Sequence, residues 1–539
     1  MKSVMTHSFS EVPRANIPRS SFDRSHGYKT TFDADYLVPV LCDDIIPGDT
    51  FNVNMNFFAR LASPTVLPIM DNLYLESFFF FVPYRLLWSN WEKFCGAQDD
   101  PGDSISFTIP SAHSSGGVDM SVITSNDHRT LANYFGIPPN TNIEMNDISA
   151  LPFRAYALIW DEWFRDQNLQ DAQWADGVFG TDYGGDGPDT LTNYPILKRG
   201  KRHDYFTSAL PWPQKGTAVS LPLFNSTSIA NVEMVPSTSM LMQNATTPAN
   251  YVDIVEVGND VLSSADQGVG VGNVYVDMST VTSEGNINDL RLAFQTQRLL
   301  ERDARAGTRY NETILAHFGV TVPDFRVQRP EFLGGGSSVI NISPVAQTTY
   351  QATQTVEDAK GALSGIGTVS GKHGFTKSFT EHGVLIGLVN VRGDITYCQG
   401  VDRYWLKDTR YDFYYPVLAT IGEQYIENQE IWYTAGGGAT NTTAWGYQER
   451  YAEYRYKPSR LTGLMHVDVA SNLDEFHLSE DFASLPSLDS TFIQSNTATP
   501  LDRAISVPSQ PHFVFDAYFD MKCARPMPLY GVPGNLDHF

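Results

Sequence analysis

The stretch Phe51-Asn-Val-Asn-Met-Asn-Phe-Phe-Ala-Arg-Leu61 decides the fold class. Positions 51, 53, 55, 57, 59 and 61 are apolar, and the positions between are Asn or Arg except Phe58. That is period two, the pattern of a strand with one face on a core. The rhythm returns late in the chain, where Phe513, Phe515, Ala517 and Phe519 share one face within 511–519. Residues 69–83 form another run, and its phenylalanine block at 78–81 reads as strand covered on both faces. Further strands are predicted over 384–391, 411–418 and 445–456. Helix signals are fewer. Leu87, Trp91 and Phe94 repeat at i, i+4, i+7 with Gly96 as a stop. Residues 147–166 and 287–306 read as two more helices. Strands at both ends with helices between them predict an all-β framework closed by non-local pairing, a sandwich or jelly roll rather than an alternating α/β fold.

Composition narrows the function. Of 539 residues, 12% are aromatic and 18% are Asp, Glu, Lys or Arg, the last against roughly 25% in a typical soluble chain. Disorder is excluded as the overall state. Many aromatics with few charges is the composition of surfaces buried between subunits. The formal net charge is −24, from 37 basic and 61 acidic residues, so the chain as a whole is not a simple nucleic-acid-binding domain. No apolar run approaches the about 20 residues of a membrane span. Residues 1–30 are polar, so no secretory signal is expected. The four cysteines, 42, 95, 398 and 523, show no CxxC spacing and read as free thiols in a reducing compartment.

Charge is unevenly spread. Residues 1–30 carry Lys2, Arg14, Arg19, Arg24 and Lys29 against Glu11 and Asp23, lack apolar periodicity, and read as a basic arm. The densest basic cluster is Lys198-Arg-Gly-Lys201-Arg202-His203. From 216 to 290 there is no Lys or Arg, and eight acids, including Asp253, Asp260 and Asp266, give the segment −8. Such a segment is repelled by phosphates and reads as an outward-facing insertion, partly β. In 447–460, Arg450, Arg455, Lys457 and Arg460 interleave with Tyr447, Tyr451, Tyr454 and Tyr456. Two readings stay open there: base stacking with phosphate neutralisation, or a subunit-interface lattice of Arg–carboxylate and Arg–aromatic contacts, which Glu449 and Glu453 favour.

No catalytic constellation emerges. Residues 367–373 approach a phosphate loop only at Gly371-Lys372, and their glycines read as turn chemistry. Gly268, Gly270 and Gly272 sit in acidic sequence, not after a buried strand. Asp182, Asp186 and Asp189 are weak calcium candidates without EF-hand spacing. No metal or cofactor is otherwise expected.

Several segments resemble a known family: LKRGKRHDYFTSALPWPQKG from Leu197, LRLAFQTQRLLERDARAGTRYNE from Leu290, SFTEHG from Ser378, YQERYAEYRYKPSR from Tyr447, and Arg525-Pro-Met-Pro with Asp537-His-Phe539. With the opening half they resemble the major capsid proteins of the gokushovirus branch of the Microviridae, small phages with circular single-stranded DNA. The resemblance covers the chain except roughly 217–285. It implies a single eight-stranded viral jelly roll with long loop and helical insertions, and no enzyme activity. It implies sixty copies in a T = 1 icosahedral shell of the virion, assembled in the bacterial host cytoplasm. The implied division is a basic arm at 1–35, jelly roll at 36–216 and 286–519 with helical insertions, an acidic threefold protrusion at 217–285, and a C-terminal arm at 520–539. Implied partners are an internal scaffolding protein, a small basic DNA-binding protein, a DNA pilot protein, the single-stranded DNA contacted without sequence preference, and a host surface receptor. On this reading Arg14, Arg19, Arg24, Lys29, Lys198, Arg199, Lys201 and Arg202 are the DNA-contact candidates. Arg450, Tyr451, Tyr454, Arg455, Lys457 and Arg460 are the interface candidates. Tyr251, Asp253, Asp260, Asp266 and Tyr275 are the host-attachment candidates. The competing reading is a secreted β-rich carbohydrate-binding protein with an acidic calcium loop.

Overall fold

The computed structural model describes residues 18–113, 130–138, 148–174, 184–217, 219, 241–243, 251–256, 262–264, 287–305, 316–317, 328–348 and 361–530. The chain divides into two compact units, one formed by 1–213 with 307–539 and the other by 214–306.

The larger unit is built on nine strands: β1 (Ser20–Asp23), β2 (His26–Phe32), β3 (Val38–Ile45), β4 (Thr50–Leu61), β5 (Leu73–Pro83), β6 (Glu331–Ala346), β7 (Leu363–Ser378), β8 (Gly383–Gly393) and β9 (Phe513–Arg525). β1 and β2 lie end to end along β9, pairing Ser20 with Arg525 and Phe32 with Phe513, so they fill one strand position. All pairings are antiparallel, in the order β1/β2–β9–β4–β7–β6–β5–β8–β3. The long hairpin β6–β7 is the fold line. Residues 331–340 of β6 pair with β5, and 341–346 pair with β7. Two four-stranded sheets therefore face each other in eight positions, the expected jelly roll.

The alternation that decided the fold class has the expected consequence. Phe51, Val53, Met55, Phe57, Ala59 and Leu61 are buried between the sheets, as are Phe513, Phe515, Ala517 and Phe519. Phe57 and Phe515 stack across the β4–β9 pair with ring centroids 6.0 Å apart. The phenylalanine block of β5 is covered on both faces. Phe79 and Phe81 enter the inter-sheet core, while Phe80 and Val82 meet a second cluster with the helix α1 (Leu151–Trp163). β8 is buried along its whole length for the same reason: Leu385, Val389 and Val391 face the core, and Val384, Ile386 and Leu388 face the helix side. α1 is fixed to the sheet by Tyr156, whose hydroxyl donates to the Leu37 carbonyl at 2.9 Å.

Several expectations need correction. The 20–32 part of the basic arm is strand, not free chain. Its periodicity is hidden because in β2 Phe32 alone is fully buried. β9 also continues to Arg525, past the expected start of a C-terminal arm at 520. β6 and β7 escape a propensity reading because both are glycine-rich, and their glycines serve close approach rather than turns. A Cβ on Gly335 would collide with the Ser77 carbonyl, and one on Gly374 with the Val53 carbonyl. The expected helix at 87–96 is one α turn, Trp91–Phe94, after a 3₁₀ turn at Tyr84–Leu86. The chain leaves helical geometry to bury Trp88, whose indole donates to Asp186 at 2.6 Å, and Ser89 N donates to Gly184 O at 2.8 Å. Gly96 does end that turn, at φ 97°. Instead of strand at 411–418 there are 3₁₀ turns at Arg410–Asp412 and Pro416–Thr420. The first is closed by a Thr409–Asp412 capping box and the second begins with proline. The strand at 444–449 stops before Tyr451, which adopts left-handed φ of 63°. The four cysteines are free.

The smaller unit contains a three-stranded antiparallel sheet, with Tyr251–Glu256 between Leu262–Ser264 and Leu241–Gln243, and the helix α2 (Ile287–Arg305).

Candidate assembly and nucleic-acid surfaces

A third apolar cluster supports a strongly aromatic surface. Phe206, Ile426, Ile431, Trp445 and Phe492 form it beneath the hairpin of Glu423–Glu427 with Ala444–Glu449. Above it the 403–421 segment winds in 3₁₀ turns, and these short turns throw large side chains outward. Trp405 is 69% exposed, Phe413 51% and Val417 84%, with Tyr404, Tyr411, Tyr414, Tyr415 and Ile421 around them. A soluble monomer rarely exposes so much apolar surface in one short segment, and rings of this kind anchor protein interfaces.

The six interface candidates sit against this surface in two roles. Tyr451 is buried and braces it: its hydroxyl donates to Tyr411 O at 3.1 Å, and its N–H donates to Gln424 at 3.0 Å. Arg450 donates to the same Tyr411 carbonyl at 2.8 Å and lies 4.7 Å over the Tyr451 ring. Tyr454 stays exposed and accepts from Lys407 at 2.8 Å. Arg455 pairs with Glu449, and Lys457 and Arg460 converge on Asp402. Burial would raise the Asp402 carboxyl, but the Tyr404 N–H, Lys457 and Arg460 outweigh it and hold it below the usual carboxylate range. These exposed cations are thus matched by carboxylates of their own chain. The surface is aromatic and close to neutral, which suits another protein surface better than a phosphate backbone.

The DNA-contact candidates are scattered. Arg19 donates to Gly48 O at 2.7 Å and Thr50 Oγ1 at 3.1 Å, and Arg24 pairs with Asp43 at 2.5 Å. Lys29 is exposed, 3.6 Å from Asp516. Lys198 lies 5.4 Å from the Tyr36 ring centroid. Of the other cations in the 198–202 cluster, Lys201 and Arg199 turn inward, while Arg202 keeps 39% of its side chain exposed but is paired with carboxylates of its own chain. Lys201 is buried, 2.8 Å from Glu480 and 4.2 Å from the Phe492 ring centroid, which removes it from contact with a genome. Arg199 and Arg202 converge with Arg392 on Glu76. Sequence spacing could not reveal these partners, because Glu76, Arg392 and Glu480 lie more than a hundred residues from the cluster.

Two of the three calcium candidates, Asp186 and Asp189, are occupied by protein donors. Asp189 takes both arms of the Arg154 guanidinium at 2.7 Å, and Asp186 accepts from Trp88 and from Asn90, the latter at 2.9 Å. Among the described residues no group of three or more His, Cys, Asp or Glu is placed to hold a metal ion. Among them also no helix is long and apolar enough to cross a membrane. Tyr251 and Asp253 belong to the central strand of the small unit. Arg14, Asp182, Asp260, Asp266, Tyr275 and the closing Asp537-His-Phe539 lie outside the described residues. Sequence reading missed the 404–421 surface itself. Its signal was the density of rings from Tyr404 to Tyr415, misread in part as a strand.

Comparison with known proteins identifies the architecture. Residues 10–535 match the family model described as capsid protein (F protein). The chain is 43% identical to the capsid protein VP1 of Bdellovibrio phage phiMH2K over 549 residues, covering 99% of this chain and 98% of that protein. It is 40% identical to the capsid protein VP1 of Chlamydia phage 1 over 99% of this chain and 98% of that protein. With the capsid protein VP1 of Spiroplasma virus 4 the identity is 31%, over 98% and 97%. The resemblance read from 197–216, 290–312 and 447–460 is thereby borne out. A jelly roll with an exposed aromatic surface, matched over its whole length, is a structural part of a virion and not an enzyme, and the chain belongs to the F-type phage capsid protein family.

Proposed function

We propose that this capsid protein forms a T = 1 icosahedral shell of sixty copies around a circular single-stranded DNA genome, with the acidic 217–285 segment serving host attachment. The observation that carries the reading is the exposed aromatic surface at 404–421 on a chain matched end to end by phage capsid proteins. Closed symmetry lets one such surface meet its neighbour's complement in every subunit. Assembly takes place in the bacterial cytoplasm with an internal scaffolding protein. A shell of subunits at −24 repels an anionic genome. A small basic DNA-binding protein therefore shares the neutralisation, and a DNA pilot protein completes the particle. Contacts to the genome are to phosphates and stacked bases.

The absence of Lys and Arg from 216 to 290 supports placing that segment away from the DNA. Replacing 220–283 by a short Gly/Ser bridge leaves particle assembly intact and abolishes attachment to host cells, read by sedimentation and by adsorption. If the shortened chain forms no particles, the segment is a clamp between subunits and the assignment to attachment falls.

A further inference from the structure

Two distant segments of the larger unit are tied together beside the third apolar cluster. Ser495 N–H donates to Arg199 O and Lys201 N–H donates to Ile493 O, each at 2.8 Å, so 199–201 runs along 493–495. Lys201 and Asn496 thereby meet around one carboxylate, that of Glu480. Lys201 Nζ lies 2.8 Å from Glu480 Oε1, and Asn496 Nδ2 donates to Glu480 Oε2 at 2.9 Å. The Lys201 and Glu480 side chains are each 4% exposed. Apart from that ammonium, Oε1 has no hydrogen-bond partner among the described residues. The amide of Asn496 is held on its other side too, where Oδ1 accepts from the Thr499 hydroxyl at 2.6 Å. The walls are rings. Phe492 and Tyr397 have their centroids 4.2 and 5.7 Å from Nζ, and Phe482 packs on both at 6.2 and 6.3 Å. A buried ion pair contributes little over apolar residues of the same volume, so packing alone does not account for an amine, a carboxylate and an amide set in a row.

We propose that Lys201 and Asn496 join in an intrachain isopeptide bond, with Glu480 carrying the protons. Both contacts of Glu480 fall within the about 2.6–3.2 Å that proton transfer needs. Glu480 takes a proton from the Lys201 ammonium and frees the Nζ lone pair, which also removes two charges from an apolar pocket. Nζ attacks Asn496 Cγ, a new N–C bond forms, and the carbonyl electron pair moves to Oδ1, where the Thr499 hydroxyl meets the charge. The intermediate collapses by breaking the Cγ–Nδ2 bond. Both protons that Nζ gives up end on the departing nitrogen through Glu480, so it leaves as ammonium and Glu480 is a carboxylate again. The chain loses one ammonia, and no oxidant or reductant takes part. This is one self-modification per chain, not turnover. The rings keep out the water that would hydrolyse the amide instead. The bond closes a covalent loop from 201 to 496 that contains the whole 214–306 unit, a cross-link of the kind that restricts the unfolded chain.

The test is mass spectrometry of the full chain, purified folded and then denatured. The intact mass is expected to fall short of the sequence mass by about 17 Da, one ammonia. No Lys or Arg lies between Arg460 and Arg503, so trypsin releases 461–503 as one peptide. That peptide is expected to carry Gly200-Lys201-Arg202 through the Lys201 side chain, and fragmentation places the link at Asn496. Glu480→Gln leaves no carboxylate to move the protons, and its mass is expected to equal its sequence mass. Where that variant does not fold, Asn496→Ala replaces it. It keeps the ion pair, removes only the electrophile, and is likewise expected to show no loss. A wild-type chain at its full sequence mass, with 461–503 released free, overturns the proposal and leaves Lys201 and Glu480 as a structural ion pair. A loss of ammonia that persists in Asn496→Ala, or that maps to 461–503 without Lys201 attached, overturns it as well, since the nitrogen then comes from elsewhere or from ring closure of an asparagine on its own backbone.

Discussion

Arg154→Ala abolishes soluble expression of the subunit. The Arg154 and Asp189 side chains are 0% and 1% exposed and form a two-armed pair at 2.7 Å. The remaining guanidinium nitrogen donates to Leu87 O at 2.9 Å and Gly185 O at 2.8 Å, and the Tyr194 hydroxyl donates to Asp189 at 2.5 Å. One side chain thus joins α1, the Trp88 turn and the 184–190 loop. Truncation leaves a buried carboxylate without its counter-charge and two carbonyls without donors. Breaking a buried pair from one side costs about 3–5 kcal/mol, a large share of the roughly 5–15 kcal/mol that holds a protein folded. Replacing both partners, Arg154→Met with Asp189→Leu, recovers most of the soluble yield, because no lone charge is left. Arg154→Ala protein with a wild-type yield and urea midpoint would contradict this account of the buried Arg154–Asp189 anchor.

Changing Trp405, Phe413 and Val417 together to serine lowers particle yield at least a hundredfold and leaves the subunit folded. The three are half to four-fifths exposed in the isolated chain, so their loss takes little from the subunit's own core. At a subunit contact each would contribute about 1.5–3 kcal/mol on burial. That loss recurs at every copy of the contact, so the shell loses far more than any one subunit. Circular dichroism and the urea midpoint check the fold, and sedimentation counts the particles. Particles at the wild-type yield would show that this surface faces solvent in the shell, and the assembly surface would have to be sought elsewhere.

The two variants separate what sequence shows from what it hides. Phe51 to Leu61 and Phe513 to Phe519 were legible because a strand with one dry face must alternate. Residues 78–81 were legible because a strand with two dry faces cannot. β6 and β7 were hidden because the feature that permits their close approach, glycine at 334–336, 365, 367, 371 and 374, is the same feature that propensity reads as turn. At 411–418 the rings suggested strand, and the capping box and Pro416 decided against it. The basic run at 198–202 was visible as charge, but its direction was not. That depends on Glu76, Arg392 and Glu480, which only the folded chain brings near. Arg154 carried no sequence signal at all, since its partner is 35 residues away across a loop.

The central claim is the proposed closed self-assembly, and electron microscopy of this chain expressed with the internal scaffolding protein proposed for it tests it most directly. The account predicts closed icosahedral particles of about 250–300 Å, a size that follows roughly from packing sixty such subunits, with protrusions on the threefold axes. Small soluble oligomers under every condition, with the scaffolding partner present, would contradict it.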